Sequence, residues 1–247
     1  MDVLFKELTA HHDITIYDTD TFAGEKGRFR ILEFSNHAMQ GAMDLRQPDR
    51  VLFEYPRAMI HLMQANNHSF QRVFLIGHGI GSIASHLKEK RFTVAELDEH
   101  VVALSRRYFG YSQDNVRIGD GRQLLREESA STYDYILVDA FTEKGTPLSL
   151  TSLSFFQMAA QKLDAEGAIL LNLMGKGEQD PLLAAIHTTL HEVFPYVKAY
   201  KLPSEGRRDP QNIILMGQNK PITANLRQMA GFVEMMPGYG HILMDNE

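Results

Sequence analysis

From residue 72 onward, short apolar runs alternate with segments of helical spacing, and this alternation constrains the fold more than any other feature. Arg72–Gly77, Phe92–Leu97, Asn115–Ile118, Tyr133–Asp139 and Gly167–Leu173 read as strands. Between and after them, Ser82–Lys90, Glu99–Tyr108, Gln123–Glu128, Ser152–Leu163 and Asp180–Phe194 read as helices. Strands that are apolar almost throughout must be covered on both faces, so the pattern predicts an α/β, doubly wound, mostly parallel sheet. Two further strands, Tyr196–Lys201 and Asn212–Gly217, are joined by a loop with no room for a helix, so they are expected to pair antiparallel. The sum is a seven-stranded sheet with a reversed last hairpin. An amphipathic helix is predicted over Ala224–Met236.

Ahead of this unit, Asp13–Tyr17 and Gly27–Phe34 read as strands, with turn-rich Asp20–Lys26 between them as a hairpin. Helical spacing returns over Asp49–Gln64. The expected organisation is a small β-rich domain over 1–50, a linking helix over 51–71 and a Rossmann-like domain over 72–247. A hairpin this small buries its apolar face poorly, which suggests a homodimer or larger assembly.

Composition narrows the function. There is no Cys, so disulfides, thiolate metal ligands and cysteine nucleophiles are excluded. The formal charge of −6 is a poor match to a phosphate backbone, so no nucleic-acid partner is expected. Apolar stretches such as Ala168 to Leu171 fall far short of the roughly 20 residues that span a bilayer. The start, Met1–Glu7, lacks the basic and apolar regions of a secretory leader. No membrane partner and a cytoplasmic location are the expectations.

Ligands of doubly wound sheets bind beyond the carboxyl ends of the strands. The first strand here ends in Gly77-His78-Gly79-Ile80-Gly81-Ser82, where glycines allow a tight turn and close ligand approach. The sixth position is Ser82, so the dinucleotide fingerprint is not met. The second strand ends at Glu96, suited to two ribose hydroxyls. The third is followed by Gly119-Asp120-Gly121, and the fourth delivers Asp139. So many acids would repel a pyrophosphate and would tolerate a cationic nucleoside, which favours a sulfonium nucleoside over NAD or ATP.

Val73–Leu87, Ala95–Asp98, Asp120–Arg122 and Tyr133–Asn172, with Ile31–Gln40, Asp44-Leu45 and Phe53–Tyr55, resemble the spermidine synthase family of class I S-adenosylmethionine-dependent transferases. The resemblance spans roughly residues 27 to 217 and implies a Rossmann-like methyltransferase fold with an N-terminal β-domain. It implies that Gly77, Gly79 and Gly81 line the aminoacyl or aminopropyl end of the nucleoside ligand, that Glu96 holds the ribose, and that Asp120 with Gly121 meets the adenine amino group. Gln40 would reach the ligand from the N-terminal domain. Asp139 would take the proton of the attacking amine, beside Tyr55. The implied co-substrate is S-adenosylmethionine or its decarboxylated form, the acceptor a small molecule such as an amine, and no metal is needed. The family also implies a dimer or larger.

Several positions depart from the family pattern. Ile80 stands where an acid binds the donor's amine, Thr142 where a second acid meets a diamine, with Glu143 following, and Pro56-Arg57 follow the tyrosine. The loop Leu202–Gln211 lacks the family's tyrosine and carries Arg207 and Arg208. The expectation is that Arg57 and this pair repel a cationic acceptor. Three readings stay open: aminopropyl transfer, methyl transfer from intact S-adenosylmethionine, and nucleoside binding without catalysis. The segment Ala140–Leu150 is long enough to be a lid. His187 and His191 share a helix face without the glutamate of a zinc protease motif, and Arg106-Arg107 reads as a solvated face.

Overall fold

Two sheets, one antiparallel and one mostly parallel, meet along the glycine loop. The computed structural model describes residues 2–8, 13–34, 39–142, 145–204 and 210–245. The first sheet has four antiparallel strands in sequence order, β1 (Asp2–Leu8), β2 (Asp13–Phe22), β3 (Glu25–Phe34) and β4 (Met39–Asp44). The predicted hairpin is present as β2 and β3, with a shorter turn than expected. Its strands run on through the expected turn, which contracts to Ala23 (φ 47°) and Gly24 (φ 79°) between paired Phe22 and Glu25. Two left-handed residues form the tight turn whose twist matches its strands.

The antiparallel sheet is also covered on both faces within the chain. Ile14, Ile16 and Leu32 pack against Ile80, Leu104 and Phe109 on one side. Phe29, Ile31 and Ala42 pack with Leu52, Tyr17, Phe22 and Phe53 on the other. The centre of each face is thus packed within the chain, while Val3, Leu4 and Met39 on the outer strands stay exposed.

Helix α1 (Glu54–Asn66) follows, with Pro56 in its first turn, where a missing N–H costs nothing. The second sheet then alternates strand and helix: β5 (Arg72–Ile76), α2 (Ser82–His86), β6 (Arg91–Glu96), α3 (Glu99–Phe109), β7 (Val116–Ile118), α4 (Gly121–Glu127), β8 (Tyr133–Val138), α5 (Leu153–Lys162), β9 (Leu163–Gly175), α6 (Pro181–His191), β10 (Tyr196–Lys201), β11 (Gln211–Gln218) and β12 (Val233–Met235). Its order is β12-β10-β11-β9-β8-β5-β6-β7. Strands β7, β6, β5, β8 and β9 are mutually parallel, and β11 runs antiparallel between β9 and β10. All seven expected strands and the reversed hairpin are present.

The eighth strand is β12, which replaces part of the expected helix over Ala224–Met236. Only a 3-10 turn at Leu226–Gln228 forms there, and Ala230 (φ 51°) and Gly231 (φ 93°) then end any helical path. The apolar spacing is used all the same, since Met229 and Phe232 are buried in the core.

Alternation along each strand divides the core. Val73, Leu75, Leu137 and Leu170 face α1, with its Met59, Leu62 and Met63. Phe74, Ile76, Ile136, Val138 and Ile169 face Phe155, Phe156, Leu183 and Leu190 of α5 and α6. Each fully buried side chain of this size contributes about 1.5–3 kcal/mol, so the two layers hold the strand ends in fixed register. Among the described residues, no helix is long and apolar enough to cross a membrane.

Candidate active site

The chain leaves β5 toward β6 and β7 and then returns to add β8 on its other side, so β5 and β8 flank the switch in strand order. Doubly wound sheets bind ligands at this crevice. Gly77 leaves β5 at φ 97°, a conformation costly to any residue with a Cβ. A Cβ there would also collide with the carbonyl oxygen of Asp139. The glycine therefore brings the loop directly against the end of β8. Gly77 N–H donates to Ala95 O at 2.9 Å and Asp139 N–H to Ile76 O at 2.8 Å, fixing both crossings.

Glu96 ends β6 with its carboxylate turned to the same loop. Oε2 accepts from His78 N–H at 2.9 Å and Oε1 from Asp98 N–H at 3.0 Å. Burial pushes its pKa up, and these backbone donors pull back. Each oxygen keeps lone-pair capacity, as a pair of neighbouring hydroxyls requires. The Gly119 N–H donates to Glu96 O at 2.8 Å, which draws the Asp120-Gly121 turn to the same edge. Asp120 is exposed and caps α4, accepting from Gln123 N–H at 2.8 Å. From the other sheet, the Gln40 carbonyl lies against Gly79, 3.3 Å from where a Cβ would sit. Gly81 caps α2.

Asp139 lies just past β8, half-buried. Asn172 Nδ2 donates to its Oδ1 at 2.8 Å, and the Tyr55 hydroxyl donates to the same carboxylate. Asn212 Nδ2 in turn donates to Asn172 Oδ1 at 3.1 Å, so the amide is held in the orientation that donates to the acid. Desolvation raises the Asp139 pKa, and the hydrogen bonds from Asn172 and Tyr55 oppose it. Burial, then the adjacent charge of Asp139, keeps Tyr55 protonated far above its ordinary range. The result is one carboxylate with raised basicity and fixed orientation, a suitable proton acceptor for a nucleophile in the crevice.

Seven of the nine predicted site residues thus stand at or just past the carboxyl ends of β5, β6, β7 and β8, with Tyr55 reaching Asp139 from α1 and Gln40 reaching Gly79 from β4. Residues 52–204 match the family model described as spermine/spermidine synthase domain, which is more than half of the chain. The chain belongs to the spermine/spermidine synthase family. It is 24% identical over 210 residues to a polyamine aminopropyltransferase of Desulforudis audaxviator, covering 81% of this chain and 71% of that one. Against a spermidine synthase of Coffea arabica it is 26% identical over 178 residues, covering 68% of this chain and 52% of the relative. The chain thus spans about half the length of that plant enzyme. The crystal structure of a probable spermidine synthase from Corynebacterium glutamicum superposes with a TM-score of 0.78 at 23% identity, over 91% of this chain and 83% of that one.

Within this family frame, the departures have physical explanations. Ile80 is buried against the antiparallel sheet, so tightly that a Cβ on Gly41 would collide with it. Position 80 is therefore a packing position between the two sheets. Arg57, expected to repel a cationic acceptor, is tied to the start of its own helix. It sits two residues beyond Tyr55, roughly 200° around the helix, where its Nε donates to Phe53 O at 3.2 Å and its Nη2 to Glu54 at 3.4 Å. Thr142 Oγ1 donates to Gly145 O at 2.9 Å within a small bridge. Glu143, Arg207 and Arg208 lie outside the described residues.

His78 is buried, with Nε2 2.7 Å from Ser105 Oγ. The Ser105 hydroxyl donates to Val102 O, so His78 must donate at Nε2, and burial lowers its pKa to about 4. It is a neutral anchor that ties the glycine loop to α3. His187 and His191 meet edge to face on α6, and no metal-holding group of three or more His, Asp or Glu occurs among the described residues.

Sequence reasoning missed Asn172, Asn212 and Leu97. The first had a signal: a lone Asn inside the apolar run Gly167–Leu173, 1% exposed, needs a partner at the strand end. Leu97, directly after Glu96, is an apolar side chain left 75% exposed. If Asn172 supports the base, Asn172→Leu removes a hydrogen bond that favours the charged carboxylate. The Asp139 pKa then rises further, and the acid limb of the kcat/KM profile moves to higher pH. A loss of about tenfold below neutral pH is expected, with less at high pH. An unshifted profile contradicts this role.

Proposed function

We propose that the chain transfers an aminopropyl group from decarboxylated S-adenosylmethionine to the nitrogen of a small amine. The observation that carries this reading is the Asp139 carboxylate, held by Tyr55 and Asn172 at the switch point, on a residue whose backbone carbonyl lies against Gly77. Spermine/spermidine synthase membership supplies the reaction class.

In this reading, Glu96 accepts the ribose hydroxyls and Asp120 the adenine amino group, with Gly121 opening the turn. Leu97 gives the base an apolar surface. Gly77, Gly79 and Gly81 leave room for the sulfonium chain, and Gln40 closes the site from the N-terminal sheet. Displacement at carbon expels a neutral thioether, so no acid is needed at the leaving group. The chain must hold the nucleophile in line and free its lone pair. An alkylammonium has a pKa near 10.4, and Asp139 accepts its proton as the nitrogen attacks. Tyr55 stays protonated and keeps the carboxylate aimed.

Methyl transfer from intact S-adenosylmethionine is the competing reading, favoured by the absence of an acid at Ile80. The two separate by product. Incubation with decarboxylated donor and a panel of mono- and diamines should release methylthioadenosine and add one aminopropyl group to the acceptor. Release of S-adenosylhomocysteine from the intact donor, with no aminopropyl product, decides for methyl transfer. The proposed homodimer or larger assembly rests on the family resemblance.

A further inference from the structure

The residue next to the proposed adenine site is an arginine whose charge is taken up by the far end of the chain. Arg122 follows Asp120 and Gly121 at the start of α4. Its Nη1 donates to Asp245 Oδ1 at 2.7 Å and Ser149 O at 3.1 Å, while Nη2 donates to Asp245 Oδ2 at 2.8 Å and Ser154 Oγ at 2.6 Å. A bidentate fork of this kind is the strongest geometry an arginine and a carboxylate can make. Asp120 is close enough to Arg122 for its charge to act on the guanidinium as well.

Asp245 does not arrive there by chance contact of a loose end. The tail before it is pinned to the two helices it crosses. Gly240 N–H donates to Thr188 Oγ1 at 2.9 Å, and Leu243 N–H to Thr189 Oγ1 at 2.8 Å. Leu153 N–H donates to Leu243 O at 2.8 Å. Asp245 also engages Ser154, at the first turn of α5. These contacts fix the tail before its carboxylate meets Arg122, 123 residues back in sequence.

We propose that Asp245 is a positioning residue that holds Arg122 away from Asp120, keeping the Asp120 carboxylate available to the exocyclic amino group of the nucleoside base. Without Asp245, Asp120 is the carboxylate whose charge still acts on the freed guanidinium, and an Arg122–Asp120 pair competes with the base for the same oxygens. The inference rests on the nucleoside reading of Asp120.

The test is titration calorimetry of the full chain with methylthioadenosine, an uncharged ligand that carries the base. Asp245→Ala is expected to bind about tenfold more weakly than wild type, as for a lost charge-assisted hydrogen bond. Adding Arg122→Gln to Asp245→Ala removes the competitor, and affinity returns to within about threefold of wild type. With a purine nucleoside lacking the amino group, Asp245→Ala costs nothing relative to wild type. Asp245→Asn, the milder change, weakens binding in the same direction should the alanine variant fail to fold. Wild-type affinity in both single Asp245 variants, or a double variant as weak as Asp245→Ala, overturns the proposal. Failure of the wild-type protein to bind methylthioadenosine overturns the nucleoside reading along with it.

Discussion

Asp139→Asn is expected to lower kcat by about 10²–10⁴-fold, the usual worth of a positioned general base, while nucleoside affinity stays close to wild type. Asparagine keeps the size of the side chain and can still accept from Asn172, so the crevice retains its shape. What is lost is the capacity to take a proton from the attacking nitrogen. The stability change has the opposite sign. Desolvation raises the Asp139 pKa in the folded chain, so between the unfolded and folded values the folded state binds more protons, and stability falls as pH rises through that interval. Above the folded value the charged, partly desolvated carboxylate is a burden that the Asp139→Asn variant does not carry. Single-turnover kinetics and thermal melting on the same sample check both halves. A variant with wild-type turnover removes Asp139 from the chemistry.

Gly77→Ala should be the most damaging small change in the chain. It forces a Cβ into the left-handed region at φ 97° and into the Asp139 carbonyl. Left-handed backbone costs a non-glycine residue roughly 1–2 kcal/mol, and overpacking typically another 1–3. A total of roughly 2–5 kcal/mol lowers the melting temperature by about 5–15 °C for a chain of this size. Relief requires the loop to move away from β8, which separates the glycine backbone from the base and abolishes nucleoside binding. Gly110→Ala provides the control. Gly110 also has positive φ, at 71°, but a Cβ there meets nothing within 4 Å. Only the backbone penalty remains, and binding survives. Equal effects of the two substitutions contradict the role given to the loop.

The parallel sheet was legible because each of its central strands is an apolar run sandwiched between helices, and because Gly77, Glu96, Asp120 and Asp139 interrupt those runs where each one ends. The outer strands of the small sheet left weaker traces. β1 reads Asp-Val-Leu-Phe-Lys-Glu-Leu, and its Val3 and Leu4 are exposed, so no alternation marks it. β12 was hidden for another reason. Met229 and Phe232 are spaced as a helix would space them, yet they reach the core from a turn that Ala230 and Gly231 impose. The contacts that finish the site were the least legible. Asn172 with Asn212, and Arg122 with Asp245, join residues far apart in sequence, and such pairs leave no periodic signal. The meaning of Ile80 also changed. It replaces an acid of the family pattern, and the fold shows the compensating gain as packing against Gly41 and the N-terminal sheet.

Thermal unfolding with decarboxylated S-adenosylmethionine, intact S-adenosylmethionine and methylthioadenosine, each at about 100 times its dissociation constant, addresses the donor directly. Binding at that ratio adds about 2.7 kcal/mol, a rise of roughly 5–10 °C for a chain of this length. At equal, lower concentrations the decarboxylated donor should give the larger shift of the two sulfonium compounds. A larger shift with the intact donor contradicts aminopropyl transfer, and no shift with any of the three contradicts nucleoside binding altogether.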